Sequence, residues 1–188
     1  MVLSTARLRT PAAILETAAH VLAERGDASM GEIAAAAGVG RATLYRHFPT
    51  REALLEALAS EALAELAARI ADASLDRVAV PEAVQRLLRA LLTVGDRYVV
   101  LIRERGATLE EKGGEEARRL VGAPIRSVFQ RGVDDGTLRD DLGPDVLVRL
   151  FAGLANAALE AALTRTLGVE QTAASIASLF LDGARRLP

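Results

Sequence analysis

Residues 29–58 read SMGEIAAAAGVGRATLYRHFPTREALLEAL and contain the strongest structural signals in the chain. Ser29 and Glu32 have the S-x-x-E spacing of a capping box, which predicts the start of a helix. Gly38 stands where a left-handed residue commonly follows a helix, and Gly40 is a permissive N-cap for the next one. The stretch therefore predicts two short helices joined by a glycine-containing turn.

The second of these helices is expected to run from Arg41 to about Phe48, where Pro49 ends it. At about 100° per residue, Leu44 and Phe48 share one face, and the remaining faces carry polar side chains. Two short helices with a polar outer face on the second are typical of the helix-turn-helix motif, whose second helix enters the DNA major groove. The pattern predicts a DNA reader.

Individual side chains of this second helix suit different contacts with DNA. An arginine can donate two hydrogen bonds to O6 and N7 of guanine, so Arg41 and Arg46 are the candidate base readers. Ala42 allows close approach and can touch a thymine methyl, whereas the hydroxyls of Thr43 and Tyr45 can bond to phosphate or base. The alternative for the two arginines is a solvated charge without a ligand.

Four further side chains lie beside helix starts, where they can face the sugar-phosphate backbone. We expect these to position the protein on DNA rather than to read sequence: Ser29, His47, Thr50 and Arg51. For Tyr45 and His47 the alternative is a packed helix surface that binds nothing.

The composition favours an all-α protein. Apolar residues make up 51% of the chain, mainly Ala, Leu and Val, and aromatics only 3%. Cysteine is absent, which excludes disulfides, thiolate zinc sites and cysteine nucleophiles. The start lacks the apolar core of a signal peptide, and no 18-residue stretch is free of charge or glycine. We expect a cytoplasmic protein that does not bind membranes.

Helical spacing, caps and prolines divide the chain into eight expected helices. A break is expected near Gly95 and a kink at Pro124. The expected helices are 11–25, 30–37, 41–48, 51–73, 81–105, 115–134, 144–167 and 169–186.

Nothing in the sequence favours catalysis. Pairs of adjacent carboxylates fall in glycine-containing turns, where solvated acids are the simpler explanation, and the two histidines are far apart in sequence. The HExxH and GxxxxGK[ST] motifs are absent. We therefore expect no catalytic residue, no metal site and no cofactor.

Residues 29–58 also resemble the N-terminal domain of the TetR family of transcriptional regulators. The resemblance is carried by A-x-x-x-G-V-x-x-x-T-L-Y-x-H-F, residues 34–48, followed by a capped E-A-L-L helix. It implies a three-helix DNA-binding head, residues 1–52, followed by a C-terminal helical-bundle domain for ligand binding and dimerisation, residues 53–188.

The resemblance further implies a dimeric one-component regulator, in particular a repressor that an unknown small-molecule effector releases from a palindromic operator. Two linked readers bind with a high effective concentration, and their half-sites lie roughly 34–36 Å apart or a multiple of that. The last two helices would pair across a homodimer. Ten apolar residues would supply that interface or the core beneath it: Val146, Leu147, Leu150, Phe151, Leu154, Ala158, Ala162, Ile176, Leu179 and Phe180.

Candidates for the effector site are polar side chains within otherwise apolar helices, with one phenylalanine as a possible wall. Core hydrogen bonds or exposed positions are the alternative for each polar residue. The candidates are Tyr98, Arg103, Phe129, Asn156 and Glu160.

Two positions depart from the family pattern. Gly31 stands where members often carry a larger side chain near phosphate, and Gly40 replaces the common serine cap. These departures leave an alternative function open, that of a helical small-molecule sensor or interaction protein without sequence-specific DNA binding.

Overall fold

The computed structural model describes residues 10–95, 114–163 and 168–185. Helices account for the regular structure in these ranges, apart from one isolated bridge between Leu138 and Arg185. The chain divides into two compact units, Met1–Ala62 with Asp96–Leu109 and Leu63–Gly95 with Glu110–Pro188. The predicted all-α class is confirmed.

The described part of the first unit contains helices α1 (Pro11–Glu24), α2 (Met30–Ala36), α3 (Arg41–His47) and the beginning of α4 (Arg51–Asp72). Helix α1 packs against α2, and α2 packs against α3. Apolar side chains at helical spacing form the buried core of this unit, among them Ile14, Leu22, Ile33, Leu44 and Leu54.

Helix boundaries in this unit follow the local sequence signals. The Thr10 hydroxyl accepts a backbone N–H from the first turn of α1, with Pro11 at the start of the helix. Gly38 follows α2 at φ +65°, in the left-handed region that favours glycine. The Thr50 hydroxyl accepts a backbone N–H of α4 at 3.1 Å. These predicted helix ends are confirmed.

The second unit contains the rest of α4, a 3-10 turn (Leu75–Arg77) and helix α5 (Val80–Val94). It continues with α6 (Ala123–Asp134), α7 (Pro144–Leu163) and α8 (Val169–Ala184). Helix α5 packs against all three of these later helices, and nine of its fifteen residues are buried. It ends at the predicted break, where Gly95 has φ +48°. The expected continuation of this helix to residue 105 lies outside the described residues.

The expected helix 115–134 is interrupted. Residues 114–117 are α-helical, Arg118–Gly122 form a π-turn, and α6 follows. Pro124 lies near the start of α6, where its ring is incompatible with an α-helical carbonyl one turn earlier and its nitrogen cannot donate. A π-turn widens the helix and accommodates the proline. The structure places a π-turn immediately before Pro124, and the kink expected at Pro124 stays a prediction.

The turn between α6 and α7 folds back onto α6. Leu138 is fully buried, and its N–H donates to the carbonyl of Gly132 at 2.8 Å. A Cβ at Gly132 would lie 2.5 Å from Leu138 Cδ1, so a larger residue there would displace a core side chain. The Arg139 N–H donates to the Ala184 carbonyl and links this turn to the end of α8.

Three of the four phenylalanines join the later helices to one another. Phe129 of α6, Phe151 of α7 and Phe180 of α8 have ring centroids 5.3–5.6 Å apart. Their rings are tilted or edge-on, the arrangement that aromatic quadrupoles favour. We call these three residues the phenylalanine cluster.

Candidate nucleic-acid interface

Two buried side chains hold α3 on the first unit. Leu44 is fully buried, and Phe48, directly after the helix, is 6% exposed. The Phe48 N–H donates to the Leu44 carbonyl at 2.8 Å, which closes the last turn. The predicted inner face of α3 is therefore confirmed, and its other faces are left for solvent or a partner.

The outward residues of α3 form a basic surface. Arg41, Ala42 and Arg46 are exposed, Tyr45 is 46% exposed, and Thr43 is half-buried. Within the described part of the chain, neither arginine forms a hydrogen bond or an ion pair. Their guanidinium donors are therefore available, which suits anionic phosphates and the acceptor atoms of base edges.

Arg41 does not project straight out from α3. Its guanidinium lies against Gly31 of α2, where an added Cβ would be 2.9 Å from Nη2 and 3.0 Å from Nε. Glycine at this position, noted in the sequence as a departure from the family pattern, thus makes room for the arginine. Sequence spacing alone gives no signal of this contact.

Ser29 is engaged in the predicted capping box. Its hydroxyl accepts the Glu32 N–H and donates to the Glu32 carboxylate at 2.8 Å, and its own N–H donates to the same carboxylate. These bonds, the backbone one foremost, lower the pKa of Glu32, and the nearby Arg25 guanidinium lowers it further. The box is confirmed, whereas a phosphate contact by Ser29 stays a prediction.

Arg51 has a structural role that sequence reasoning missed. Its guanidinium donates to the carbonyl oxygens of Ala28 at 2.5 Å and Gly26 at 2.6 Å. These bonds tie the start of α4 to the turn between α1 and α2. Its phosphate contact stays a prediction, as do those of the exposed Thr50 and the half-buried His47.

The effector candidates fall into two groups. Tyr98 and Arg103 lie outside the described residues, as does the side chain of Glu160. Phe129 is fully buried in the phenylalanine cluster, and the buried Asn156 Oδ1 accepts no hydrogen bond within the described part of the chain. A buried acceptor without a partner is costly, which makes this atom of the half-buried Asn156 unusual. A ligand contact by any of the five stays a prediction.

A groove of about 360 Å³ lies on the second unit, between the end of α4 and the helix that contains the π-turn. Sequence reasoning did not anticipate it. Its wall includes Arg131, whose guanidinium donates to the Leu75 and Val78 carbonyls. Its apolar lining includes Ile70, Leu120 and Val128.

The described ranges show neither a candidate metal site nor a candidate membrane span. They contain no group of three or more His, Cys, Asp or Glu side chains that could hold a metal ion. None of the helices in those ranges is long and apolar enough to cross a membrane.

Known proteins are similar to this chain both within residues 14–58 and over most of its length. Residues 14–58 match the family model described as bacterial regulatory proteins, tetR family. The transcriptional repressor LfrR of Mycolicibacterium smegmatis is 34% identical, over 80% of this chain and 93% of LfrR. The chain belongs to the TetR family. It is accordingly a DNA-binding transcriptional regulator and not an enzyme.

Two further comparisons extend over most of the chain. The transcriptional regulator NfxB of Pseudomonas aeruginosa is 28% identical, over 91% of this chain and 92% of NfxB. The crystal structure of LfrR in complex with proflavine has a TM-score of 0.72 and 31% identity, covering 96% of this chain and 99% of LfrR. Family membership favours DNA binding over the alternative of a helical sensor that has lost it.

Proposed function

We propose that the protein is a homodimeric one-component repressor that acts in the cytoplasm, binds a palindromic operator and leaves it when a small molecule binds. The main support is α3, because its buried Leu44 and Phe48 fix a basic outer surface whose arginines have no partner among the described residues. The relative LfrR is named a repressor. Residues 1–52 form the DNA-binding domain of this proposal, and residues 53–188 the ligand-binding and dimerisation domain.

In this proposal the outward residues of α3 divide the work on DNA. Arg41 and Arg46 read bases, Ala42 permits close approach, and Thr43 and Tyr45 bond to phosphate or base. Side chains near the helix starts hold the sugar-phosphate backbone: Ser29, His47, Thr50 and Arg51.

The base-reading role can be tested by comparing Arg46→Ala with His47→Ala. The wild-type protein first selects its preferred duplex from a randomised library, and Kd is then measured on that duplex and on random DNA. Arg46→Ala should weaken binding to the selected duplex by roughly tenfold more than binding to random DNA. His47→Ala should weaken both alike. Equal losses for Arg46→Ala on the two DNAs would instead indicate a phosphate contact, with a shallower salt dependence.

The homodimer is supported by an exposed apolar face on α7 and α8. Val146, Leu150 and Leu179 are 43%, 51% and 61% exposed, and Leu154 and Ile176 are half-buried. Leu147 and Phe180 on the same two helices are buried inside the unit. A face of this kind is typical of self-association.

The dimer test places charge on this face. Leu150→Arg combined with Leu179→Arg should shift the protein to a monomer in sedimentation equilibrium and weaken operator binding, because two readers are no longer linked. Gln85→Arg, an exposed position on α5, is the matched charge control and should stay dimeric. A double variant that remains a dimer would place the interface elsewhere.

We further propose that the effector binds in the ligand-binding domain of this proposal, residues 53–188, and that its candidate contacts are Tyr98, Arg103, Phe129, Asn156 and Glu160. The support is Asn156 Oδ1, a buried acceptor without a hydrogen bond among the described residues, together with the relative LfrR, whose crystal structure holds proflavine. An effector that prefers the DNA-free state lowers operator affinity by its differential affinity for the two states. Helix α4 belongs to both units and is the element through which the change would pass.

Proflavine, a planar aromatic amine, is a suitable probe. We expect its titration to release the selected duplex from the wild-type protein, and Asn156→Leu to weaken that release by roughly tenfold. Asn156→Leu should leave DNA affinity without proflavine unchanged. Release that is unaffected by Asn156→Leu would exclude this asparagine from the site, and no release by proflavine would point to an effector of another chemical class.

A further inference from the structure

We propose that Gly31 is a specificity-determining position, because its missing side chain lets α2 hold the Arg41 guanidinium in place to read one base pair in each half-site. The inference rests on the proposed function and deepens it. Gly31 itself contacts no base here. It is a positioning residue that acts through Arg41.

The geometry shows a close fit between glycine and guanidinium. Three guanidinium atoms, Nη2, Nε and Cζ of Arg41, lie 2.9, 3.0 and 3.1 Å from the place where a Cβ of residue 31 would be. Their nearly equal distances mean that the guanidinium lies across this point rather than touching it with one atom. Any side chain at residue 31 would occupy the space of the guanidinium.

No local requirement for glycine exists at this position. Gly31 lies within α2 and does not have a positive φ, so its backbone conformation is open to every residue. Glycine also weakens a helix relative to alanine, and α2 has only seven residues. The space taken by Arg41 is the structural feature that explains glycine here.

The manner in which Arg41 is held suits a DNA reader. Of the four arginines in the described part of the first unit, Arg25 is paired with Glu32 and Arg51 donates to backbone carbonyls. Arg41 and Arg46 have no such partner there, and the Arg41 guanidinium packs against Gly31. Packing orders the side chain while leaving its N–H donors free. Less rotamer freedom is then lost when a bidentate contact forms.

A methyl group at residue 31 should separate this role from folding. The atoms it would meet are at the far end of an exposed, flexible side chain, so Arg41 can swing away into solvent. The fold then remains intact and α2 gains a better helix former. Gly31→Ala should therefore melt at the same temperature as the wild-type protein or higher.

The experiment is a double-mutant cycle on DNA preference. The full-length wild-type protein selects a palindrome from randomised duplexes, and Kd is measured on that palindrome, on its symmetric base-pair variants and on random DNA. Gly31→Ala should reduce the preference for one base pair in each half-site, measured as a ratio of Kd values, by about tenfold. It should weaken binding to the palindrome more than binding to random DNA. In an Arg41→Ala background the same change should have no further effect, because no guanidinium remains to be displaced.

Arg46 supplies the matched control. Arg46 lies on the same helix and carries the same charge. It supplies none of the three heavy atoms nearest to an added Cβ at residue 31. In the double variant, the fold-changes in Kd caused by Gly31→Ala and by Arg46→Ala should multiply, because the two substitutions act independently. The inference is overturned if Gly31→Ala keeps the wild-type base preference, or loses it equally with and without Arg41. A wild-type protein that selects no palindrome overturns the proposed function as well, whereas a selected palindrome that Gly31→Ala reads unchanged overturns this inference alone.

Discussion

The α2–α3 pair, and α6 with the turn that follows it, each contain a helical glycine whose missing side chain makes room for a neighbour. At Gly31 the neighbour is the exposed end of Arg41, and at Gly132 it is the fully buried Leu138. The arginine can move into water, whereas the leucine is enclosed by a packed core that yields little. The missing side chain of Gly31 leaves space in which a surface arginine packs, and that of Gly132 leaves space in which a core leucine packs.

Two further contacts, one in each unit, join residues at very different separations in sequence. Ser29 and Glu32 stabilise the start of α2 from within one turn. The phenylalanine cluster instead joins three helices, with Phe129 and Phe180 at its ends in sequence. We therefore expect changes in the core of the second unit to cost more stability than changes on the surface of the first, and the following experiments test that ranking.

The largest expected effect comes from opening the phenylalanine cluster. Phe151 is 1% exposed, and Phe151→Ala should lower the free energy of unfolding by about 3–5 kcal/mol, because lost transfer energy adds to the cost of a cavity. Urea unfolding at fixed protein concentration measures it, since the proposed dimerisation would make stability concentration-dependent. Phe151→Leu, which keeps most of the volume, should lose much less. Similar losses for both variants would argue against cavity formation as the cause.

Replacing Gly132 by alanine should lower the free energy of unfolding, whereas replacing Gly31 should leave it unchanged or raise it. Gly132→Ala should lower the free energy of unfolding by about 1–3 kcal/mol, because the new Cβ overlaps Leu138. Gly31→Ala should be neutral or stabilising by up to about 1 kcal/mol, because helix propensity improves. Thermal melts of both variants test the contrast. A Gly31→Ala protein as unstable as Gly132→Ala would show that Arg41 cannot move freely.

The next effect tests Arg51, a side chain that the sequence assigns to DNA contact and that also donates to two distant backbone carbonyls. Arg51→Met should lower the free energy of unfolding by about 1–2 kcal/mol, because two backbone carbonyls lose a charged donor. Arg46→Met is the control, since the exposed Arg46 has no partner in the described ranges and its loss should leave stability unchanged. Equal stability of the two variants would remove the structural role assigned to Arg51.

The smallest expected effect is a pH dependence at the capping box. The pKa of Glu32 is held below its ordinary value of 4.5 in the folded state, so folding is favoured most when the carboxyl is ionised. This contribution is complete above about pH 4.5 and is lost as the pH falls through the lowered pKa. The melting temperature of wild type should exceed that of Glu32→Gln near neutral pH, and the two should converge in acid.

A melting series between about pH 3 and pH 7 follows this convergence. Glu56→Gln removes an exposed carboxylate from α4 without touching a cap, and it serves as the control. A gap between wild type and Glu32→Gln that stays constant across the series would mean that the capping carboxylate contributes nothing through its charge.

The sequence predicted the helix-turn-helix region well because its signals act within a few residues. The capping box at Ser29, the left-handed Gly38 and the inward Leu44 depend on spacings of three or four positions and on the preferences of single residues. Propensity and periodicity describe such spacings directly. The same reasoning identified the outward residues of α3, whose DNA contacts stay predictions.

The sequence did not predict the contacts between residues distant in the chain. Arg51 reaches carbonyls 23 and 25 positions earlier, and Arg41 lies on Gly31 of another helix. No spacing rule relates these positions, because the angle and distance between helices decide which side chains meet. For the same reason the effector candidates came from polarity alone, without any means of testing whether they converge.

By itself, the sequence determined the helical class, most helix ends and the family, because caps, glycines, prolines and a compact motif carry that information locally. The tertiary structure decided that Gly31 makes room for a surface arginine and Gly132 for a core leucine. In the sequence the two positions cannot be distinguished, because each is a glycine within a helix. It also decided that the residues before Pro124 form a π-turn, because an interior proline rules out one hydrogen-bonding pattern without selecting its replacement. Packing between helices makes those choices.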